Sequence, residues 1–288
     1  MRTRLLLLFS VLLVLGSLTS LQAQALEFGV KAGTSFYTGD LSPKENSFDS
    51  NDLNFAGGLY LRYRPTTRFG IRVNGNFGRL SAERDDMEVL NELDMIVQIS
   101  RNFRSSLTEF NAVLEYDLFY LGNPEGNYVA AYAYGGVGVL SFNPEGEMDG
   151  VFTELQPLRT EAQGSGLDPR YDATPYELTR VVGVLGGGVR VRFADRIVIG
   201  LELGGRKTGT DYLDDVSATP VRYLDVLQGD NGGLAARFSN PGVQNVAEVG
   251  DLTYRRGGEA EDYYFVGSLT VGVTIGTAGS NKSGCYKF

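Results

Sequence analysis

The amino-acid sequence predicts an all-β protein: a single transmembrane antiparallel up-and-down β-barrel of about eight strands, with short periplasmic turns and long extracellular loops. Eight segments alternate apolar and polar side chains with the two-residue period of a β-strand. The connections between these segments alternate between short and long. An export signal precedes them, and after it no stretch approaches the roughly 20 consecutive apolar residues of a membrane-spanning helix.

The export signal occupies residues 1–25. Arg2 and Arg4 give it a positive start, residues 5–15 are apolar, and small residues up to Ala25 offer a cleavage site. A transmembrane anchor is the alternative interpretation, but the apolar run is short for a bilayer. The chain is predicted to consist of a cleaved signal peptide at 1–25, an outer-membrane β-barrel with its loops at 26–277 and a periplasmic C-terminal tail at 278–288.

Each predicted strand has an apolar face and a polar face. The fourth is the longest, and in it Phe110, Leu114 and Tyr120 face away from Glu109 and Glu115. The fifth is ambiguous, because its tyrosines or its valines and alanines can form the apolar face. The predicted strands lie at 26–33, 55–64, 69–77, 109–120, 128–140, 181–193, 197–206 and 263–275.

Connection lengths distinguish a membrane barrel from a soluble sandwich, which would bury the same apolar faces in a core. Membrane barrels combine tight periplasmic turns with long extracellular loops. An even strand number then puts both termini in the periplasm, and we expect a bacterial outer-membrane protein in contact with outer-membrane lipid. The short connections are 65–68, 121–127 and 194–196, and the long ones are about 37–54, 81–102, 141–180 and 209–261.

The polar faces of the strands point into the barrel. Eight strands enclose an interior just wide enough for side chains to fill, so its acids and bases should pair with one another. We expect Glu202 to pair with Arg206 or Arg190, and the filled lumen to exclude passage of a protein. A proton or ion pathway is the alternative. The charged residues predicted to face inward are Glu27, Lys31, Arg62, Arg72, Glu109, Glu115, Arg190, Arg192, Glu202 and Arg206.

The composition argues against catalysis. The chain has no histidine and one cysteine, which excludes a Ser-His-Asp triad, a Cys-His pair and a histidine-ligated metal. We expect no enzymatic activity, no cofactor and no small-molecule substrate. Asp211, Asp214 and Asp215 are weak candidates for an acid pair or a Ca²⁺ site, since their spacing lacks the pattern of a calcium loop. A net charge of −9 without a basic stripe argues against nucleic-acid binding.

Several motifs carry a resemblance to a known family. They are GTSFYTGDL at 33–41, RNFRSSLTEFNAVLEYDLF at 101–119, FNPEG at 142–146, LQPLRTEAQG at 155–164, GRKTGTDYLDDVS at 205–217 and RRGGEAEDYYF at 255–265. In this order and spacing, the sequence resembles the PorG-type outer-membrane barrels of the Bacteroidetes type IX secretion system. It departs from their pattern at Arg159 and Ala162, where glycines are usual, and at Gly209, where an aromatic residue is usual.

The resemblance implies a role in protein export. Such barrels tether a periplasmic ring, formed by a lipoprotein and its partner, to the outer membrane, so these ring proteins are the implied partners. A stand-alone small barrel with a role in surface adhesion or membrane stabilisation is the alternative. In the loop after the seventh strand we expect a turn at the membrane rim, with Tyr212 and Leu213 packed under a loop cap. The family motif in this loop comprises Thr210, Asp211, Tyr212, Leu213, Asp214 and Asp215.

Cys285 lies in the predicted periplasmic tail, where an oxidising compartment and a lone cysteine favour an intermolecular disulfide. We predict that non-reducing gels show a heavier species that contains this chain, collapses on reduction and is absent from Cys285→Ser. Under the resemblance, its partner is the ring lipoprotein. Full alkylation of Cys285 in untreated cells, with no heavier species, would instead indicate a tolerated free thiol.

Overall fold

The computed structural model describes residues 25–42, 52–90, 95–124, 126–194, 196–243, 245–259 and 261–275. Cys285, the tail and the signal peptide before Ala25 lie outside the described residues. Among the described residues, no helix is both long and apolar enough to cross a membrane. The strands are β1 Ala25–Thr38, β2 Asn54–Arg64, β3 Phe69–Leu90, β4 Met95–Gly122, β5 Tyr128–Met148, β6 Val151–Glu154, β7 Thr179–Phe193, β8 Ile197–Lys207, β9 Val221–Arg222, β10 Thr253–Tyr254 and β11 Tyr263–Ile275, and the helices are α1 Tyr223–Leu227 and α2 Gly232–Ser239.

Eight antiparallel strands close into a barrel. Their order around it is β1, β2, β3, β4, β5, β7, β8 and β11, which is their order in the chain. The last strand returns to the first, and β11 pairs with β1 from Leu26↔Ile275 to Thr38↔Tyr263. The predicted eight-stranded up-and-down barrel is therefore confirmed, and each predicted segment lies within one of these strands.

Residues 81–102 do not form the predicted long loop. They belong largely to β3 and β4, which stay paired from Phe69↔Tyr116 to Leu90↔Met95, whereas β2 pairs with β3 only as far as Gly78. The hairpin thus continues beyond the end of β2. Above the bilayer a strand needs no continuous apolar face, so the alternation ends while backbone pairing continues.

A β-bulge changes the facing of residues at the end of β4. The pairing of β4 with β5 shifts between Asp117 and Phe119, and both Leu118 and Phe119 are exposed. A slip of one residue sends every following side chain to the opposite face. Tyr120, predicted to face outward, therefore turns inward, and its hydroxyl lies 2.6 Å from Arg64 Nη2.

The outer face of the barrel is an apolar belt. Leucine, valine and isoleucine side chains are exposed along its middle. Aromatic pairs flank them, with Phe69 and Tyr116 near the short turns and Phe55 and Phe77 near the long loops. The ambiguity in β5 is resolved, because its tyrosines are buried and Val137 is exposed. An apolar exterior with aromatic borders and a charged interior is the arrangement of a barrel that spans a lipid bilayer.

Connections at the long-loop end fold over the barrel. We call residues 149–178 and 208–262 the loop cap. One apolar cluster joins the cap to the barrel, and in it Leu213 and Val216 of the cap are fully buried with Leu80 of β3. A second cluster lies within the cap. The predicted packing of Leu213 under a cap agrees with this arrangement. The second cluster is formed mainly by Leu155, Leu158, Tyr171, Val221, Tyr223, Val226, Phe238, Leu252 and Tyr254.

Inside the barrel, tyrosine rings lie against glycines of neighbouring strands. A Cβ atom on Gly29 of β1 would lie 2.4 Å from Tyr60 Cζ, and one on Gly272 of β11 would lie 2.4 Å from Tyr60 Oη. These glycines therefore provide the space in which the ring of Tyr60 lies across the lumen wall. The same ring is held by a hydrogen bond that its hydroxyl donates to Glu27 Oε1, at 2.7 Å.

We predict that Gly29→Val destabilises the barrel by about 1–3 kcal/mol, because the new side chain must displace the ring of Tyr60. The measurement is the temperature at which the folded barrel converts to its unfolded form on a gel. Ala32→Val is the matched control, since Ala32 lies on the exposed face of the same strand and should change stability by no more than about 0.5 kcal/mol. Equal effects of the two variants would contradict this prediction.

Candidate functional site

An ion-pair network fills the lumen, and its centre is Glu115 of β4. Three arginines contact this carboxylate, which is 1% exposed. Arg62 Nε, Arg72 Nε and Arg190 Nη1 each lie 2.8 Å from one of its oxygens. These arginines belong to β2, β3 and β7, so a single carboxylate links four strands of the barrel.

Three further carboxylates surround this centre. Glu27 pairs with Arg62, and Asp117 pairs with both Arg190 and Arg64. Glu202 of β8 pairs with Arg72 and, at 3.4 Å, with Lys31 of β1. The network thus reaches most strands of the wall. Nearer the loop cap, Arg206 Nε and Glu109 Oε2 form a separate pair at 3.2 Å.

Tyrosine hydroxyls complete the hydrogen bonds of these carboxylates. Tyr132 Oη donates to Glu202 Oε1 at 2.6 Å, and Tyr264 donates to Glu109. The ring of Tyr132 also lies beneath a cation, with its centre 4.3 Å from the guanidinium carbon of Arg190. Buried charges are tolerated where they are both paired and hydrogen-bonded. The lumen meets both requirements at these carboxylates.

The structure brings the predicted inward-facing charges together, with differences in detail. Glu202 pairs with Arg72 and Lys31, not with Arg206 or Arg190 as the sequence suggested. That expectation was wrong because the barrel sets side chains from non-neighbouring strands opposite one another. The sequence prediction also missed Arg64, Asp117 and three tyrosines, although alternation assigns Arg64 and Asp117 to inward faces. The tyrosines are Tyr60, Tyr132 and Tyr264.

Little free space remains between the ion pairs. A cavity of about 30 Å³ lies between the network and the pair of Arg206 and Glu109, and Lys31 and Tyr134 line it. That volume has room for about two water molecules. The described lumen is therefore packed with side chains and holds no passage for a polypeptide.

The loop cap contains a cluster of buried carboxyl groups, those of Glu161, Asp214, Asp215 and Asp262. Arg256 lies beside two of them, with its Nη1 atom 3.2 Å from Asp215 Oδ2 and 3.7 Å from Glu161 Oε1. Burial raises the pKa of Asp215, and it raises the pKa of Glu161 to about 7. Unlike the lumen, this part of the cap therefore has more carboxyl groups than cations close to them.

Asp214 and Asp262 share one tyrosine hydroxyl. Tyr37 Oη of β1 lies 2.6 Å from Asp214 Oδ2 and 2.8 Å from Asp262 Oδ1. A phenol has one hydrogen to donate, so the second close contact requires a proton on one of the two carboxyl groups. Burial raises the pKa of both groups well above the usual range, and the charge of Asp214 adds to this effect on Asp262.

The loop motif of the sequence analysis does not form a metal site. Asp214 points to Tyr37, whereas Asp215 accepts a hydrogen bond from Tyr176 at 2.7 Å. Asp211 is partly buried, and burial raises its pKa to about 7. Within the ranges that the structure describes, no group of three or more His, Cys, Asp or Glu side chains is arranged to hold a metal ion.

The rest of the motif builds the turn between β8 and the cap. Gly209 has a left-handed backbone, with φ of 62°. Thr210 follows it, and its carbonyl accepts a hydrogen bond from the backbone amide of Asp262 at 3.0 Å. Tyr212 stacks on Tyr176, with 4.6 Å between the ring centres. This motif therefore ties the start of the cap to the residue that precedes β11.

Arg159 and Ala162 lie in the part of the loop cap between β6 and β7. Both have left-handed backbones, with φ of 57° and 58°. Glycine adopts this conformation without a steric penalty, whereas a residue with a Cβ atom is strained there.

Comparisons with known proteins give one family and several similar solved structures. Residues 6–154 match a protein family described as a domain of unknown function, DUF6089. No curated protein matches the chain. Solved structures similar to it include neisserial surface protein A, at 11% identity over 87% of this chain and 97% of that one, with a TM-score of 0.39. The outer membrane protein OprG of Pseudomonas aeruginosa matches at 10% identity over 89% and 99%, also with a TM-score of 0.39. The attachment invasion locus protein Ail of Yersinia pestis matches at 9% identity over 88% and 97%, with a TM-score of 0.36.

We predict that Glu202→Leu lowers the free energy of unfolding by about 3–5 kcal/mol, because it leaves Lys31 buried without its carboxylate and leaves Arg72 with that of Glu115 alone. Urea unfolding in lipid vesicles measures this loss. Glu145→Leu is the control, because Glu145 forms a partly exposed pair with Arg104 and its loss should cost no more than about 1 kcal/mol. An unchanged urea midpoint for Glu202→Leu would show that the network does not stabilise the barrel.

The loop cap should lose stability as the pH rises. Because its carboxyl pKa values are raised, the folded cap binds more protons than the unfolded chain. The resulting stabilisation is complete at acid pH, below the unfolded pKa, and is lost as the pH rises to the folded pKa. For Glu161 the loss runs between pH 4.5 and about 7. We predict that the urea concentration at which half of the cap is unfolded is lower at pH 8 than at pH 5. Near-ultraviolet circular dichroism of the tyrosines follows this unfolding.

Glu161→Gln should make this fall smaller by the contribution of Glu161, because the amide does not titrate. Glu259→Gln, at an exposed position in the other segment of the loop cap, is the control and should keep the full fall. A urea midpoint of the cap that rises with pH would contradict this prediction.

Proposed function

As the chain belongs to the family described as a domain of unknown function, DUF6089, we propose its role from its own residues. The proposed role is that of a non-enzymatic anchor in the bacterial outer membrane. It holds the periplasmic ring of a type IX protein secretion apparatus, with the loop cap outside the cell and both termini in the periplasm. The ring lipoprotein and its partner are the proposed contacts.

The observation that carries this proposal is the ion-paired lumen. Glu115 and the three arginines around it occupy the middle of the barrel, where a conduit would need open space. The same interactions link strands across the barrel, so they make it rigid. A rigid, filled barrel suits a part that holds an assembly in the membrane. The apolar belt supports the membrane location.

The short-turn end is the proposed contact surface for the ring. Arg68 and Arg196 are exposed there, next to the compact turns that follow β2 and β7. The motifs that resemble PorG-type barrels support the identity of the partner, and the cap at the opposite end leaves this surface free. Contacts at this end need no movement of the barrel, because they involve its rim alone.

A cell-surface binding role through the loop cap is the second candidate. The cap has an apolar cluster of its own, so it is a folded surface and not a set of separate loops. It also exposes apolar side chains, among them Leu167, Leu234 and Val246. Exposed apolar groups on a folded surface favour contact with another macromolecule.

Site-specific photo-crosslinking in intact cells tests the proposal and separates the two candidates. A photo-reactive residue at Thr66 reports on the short-turn end, and one at Leu234 reports on the cap. The anchor role predicts crosslinks from Thr66 to a periplasmic lipoprotein and its partner, and none of these from Leu234. Crosslinks to surface components from Leu234, with none from Thr66, would contradict the anchor role and favour the second candidate.

A further inference from the structure

A carboxyl pair, Asp214 and Asp262, lies where the loop cap meets the barrel mouth, the long-loop end of the lumen. Both side chains are fully buried, at 0% exposure. Tyr37 of β1 contacts both of them, so one side chain of the barrel is bonded to two positions of the cap. Tyr37 also belongs to the apolar cluster that joins cap and barrel, together with Leu213 of the cap and Leu80 of β3. The anchor role does not use this joint.

Both carboxyl oxygens of Asp214 accept hydrogen bonds from backbone amides. Its Oδ2 atom accepts from Leu41 at 3.3 Å, and its Oδ1 atom accepts from Val216 at 3.0 Å. Backbone N–H groups aimed at both oxygens stabilise the ionised form of a carboxyl group. Asp214 is therefore the member of the pair that is placed to carry the negative charge.

Asp262 has a backbone donor at one oxygen alone. Its Oδ2 atom accepts from the amide of Leu213 at 2.9 Å. Its Oδ1 atom faces Tyr37 Oη at 2.8 Å, and no other donor reaches it from the described part of the chain. Tyr37 has one hydrogen, and it donates this hydrogen to the carboxylate of Asp214. The hydrogen between Tyr37 and Asp262 therefore belongs to Asp262 Oδ1, which is protonated.

The charged groups around the pair oppose the loss of this proton. The negative charges of Asp40 and Asp211 act on the pair from the loop after β1 and from the cap. Arg256 of the cap attracts the pair from a distance, but its short contact is with Asp215, at 3.2 Å. Arg84 of β3 donates to the backbone carbonyl of Asp40. A second negative charge on the pair would thus lie among carboxyl groups, without a cation in contact with it among the described residues.

Gly39 covers the contact between Tyr37 and Asp262. A Cβ atom on Gly39 would lie 2.0 Å from both Tyr37 Oη and Asp262 Oδ1. The backbone of Gly39 therefore approaches the shared hydrogen as closely as a residue without a side chain allows. A water molecule has no room on this side, so water does not replace the proton while the cap is closed.

We propose that the proton on Asp262 Oδ1 holds the loop cap on the barrel mouth, and that the cap lifts off the mouth when rising pH removes it. The proton passes to solvent, and the single hydrogen of Tyr37 then faces two carboxylates. The second apolar cluster contains neither member of the pair, so the cap lifts as a folded body. The ion pairs of the lumen stay in place beneath it. This device is independent of the anchor role.

Linkage between proton loss and lifting sets the size of the effect. In the closed cap, burial and neighbouring carboxyl groups raise the pKa of both members of the pair well above the usual range. In the lifted cap the pair is hydrated, and an aspartate in water has a pKa of about 3.9. Between these two values the closed cap holds one proton more than the lifted cap, so each pH unit favours lifting by about tenfold.

Labelling of a cysteine beneath the cap measures the lifting. Leu80→Cys puts a thiol in the apolar cluster of the joint, and Cys285→Ser removes the native one. The full chain, folded in phospholipid vesicles, reacts with a water-soluble maleimide between pH 5 and pH 8. A Leu234→Cys chain has its thiol on the exposed surface of the cap and gives the pH dependence of the thiol itself. The rate for Leu80→Cys divided by that for Leu234→Cys should rise about tenfold per pH unit.

Two amide variants of the pair test where the proton lies. In Asp262→Asn the amide nitrogen takes the place of the protonated oxygen and donates to Tyr37, while the amide oxygen accepts from Leu213. This variant should keep the cap closed and abolish the rise with pH. In Asp214→Asn the amide nitrogen faces a backbone amide that also donates, so labelling should increase at every pH. Asp251→Asn, at an exposed pair with Arg222, is the control and should keep the full rise.

The proposal is overturned if the rate ratio of the unmodified pair does not change with pH, or if Asp262→Asn keeps the full rise. It is also overturned if Asp214→Asn closes the cap in place of Asp262→Asn. The ratio for the unmodified pair needs no substitution in the pair, so it decides the outcome even where a variant fails to fold. None of these results bears on crosslinking at the short-turn end, so this proposal and the anchor role stand or fall separately.

Discussion

The three-arginine contact of Glu115 is the interaction on which the rest of the structure depends. Three guanidinium groups inside a barrel are tolerated only if carboxylates lie among them, and Glu115 lies within 2.8 Å of all three. This requirement fixes which face of each strand turns inward. The apolar residues then face lipid, which offers polar groups no partners. A filled interior and a lipid-facing exterior thus follow from one constraint.

Charge is balanced differently in the lumen and in the loop cap. In the lumen, each paired carboxylate has an arginine or Lys31 beside it, so these ion pairs form without added protons. In the cap, Asp214 and Asp262 meet at the hydroxyl of Tyr37, and a proton makes that contact favourable. The cap is therefore joined to β1 by a hydrogen bond that depends on pH. The ion pairs of the barrel beneath it need no such proton.

The barrel could be predicted from the sequence because a bilayer imposes alternation on every residue that crosses it. The same reasoning failed for 81–102, where the hairpin leaves the region in which alternation is required. It also failed at Tyr120, because the residues near Leu118 give no sign of a bulge. In the cap, the directions of Asp214 and Asp215 depend on loop packing, which spacing along the chain does not encode.

Ion conductance in planar lipid bilayers tests the filled lumen most directly. If the ion pairs around Glu115 close the barrel, the purified chain inserts without producing steady current steps. Substitution of Glu115 by Ala should then give a leaky or unstable barrel, because it removes the carboxylate that three arginines share and leaves each of them with one carboxylate fewer. A stable, ion-selective channel in the unmodified protein would contradict the account, since it would require an open path through the network.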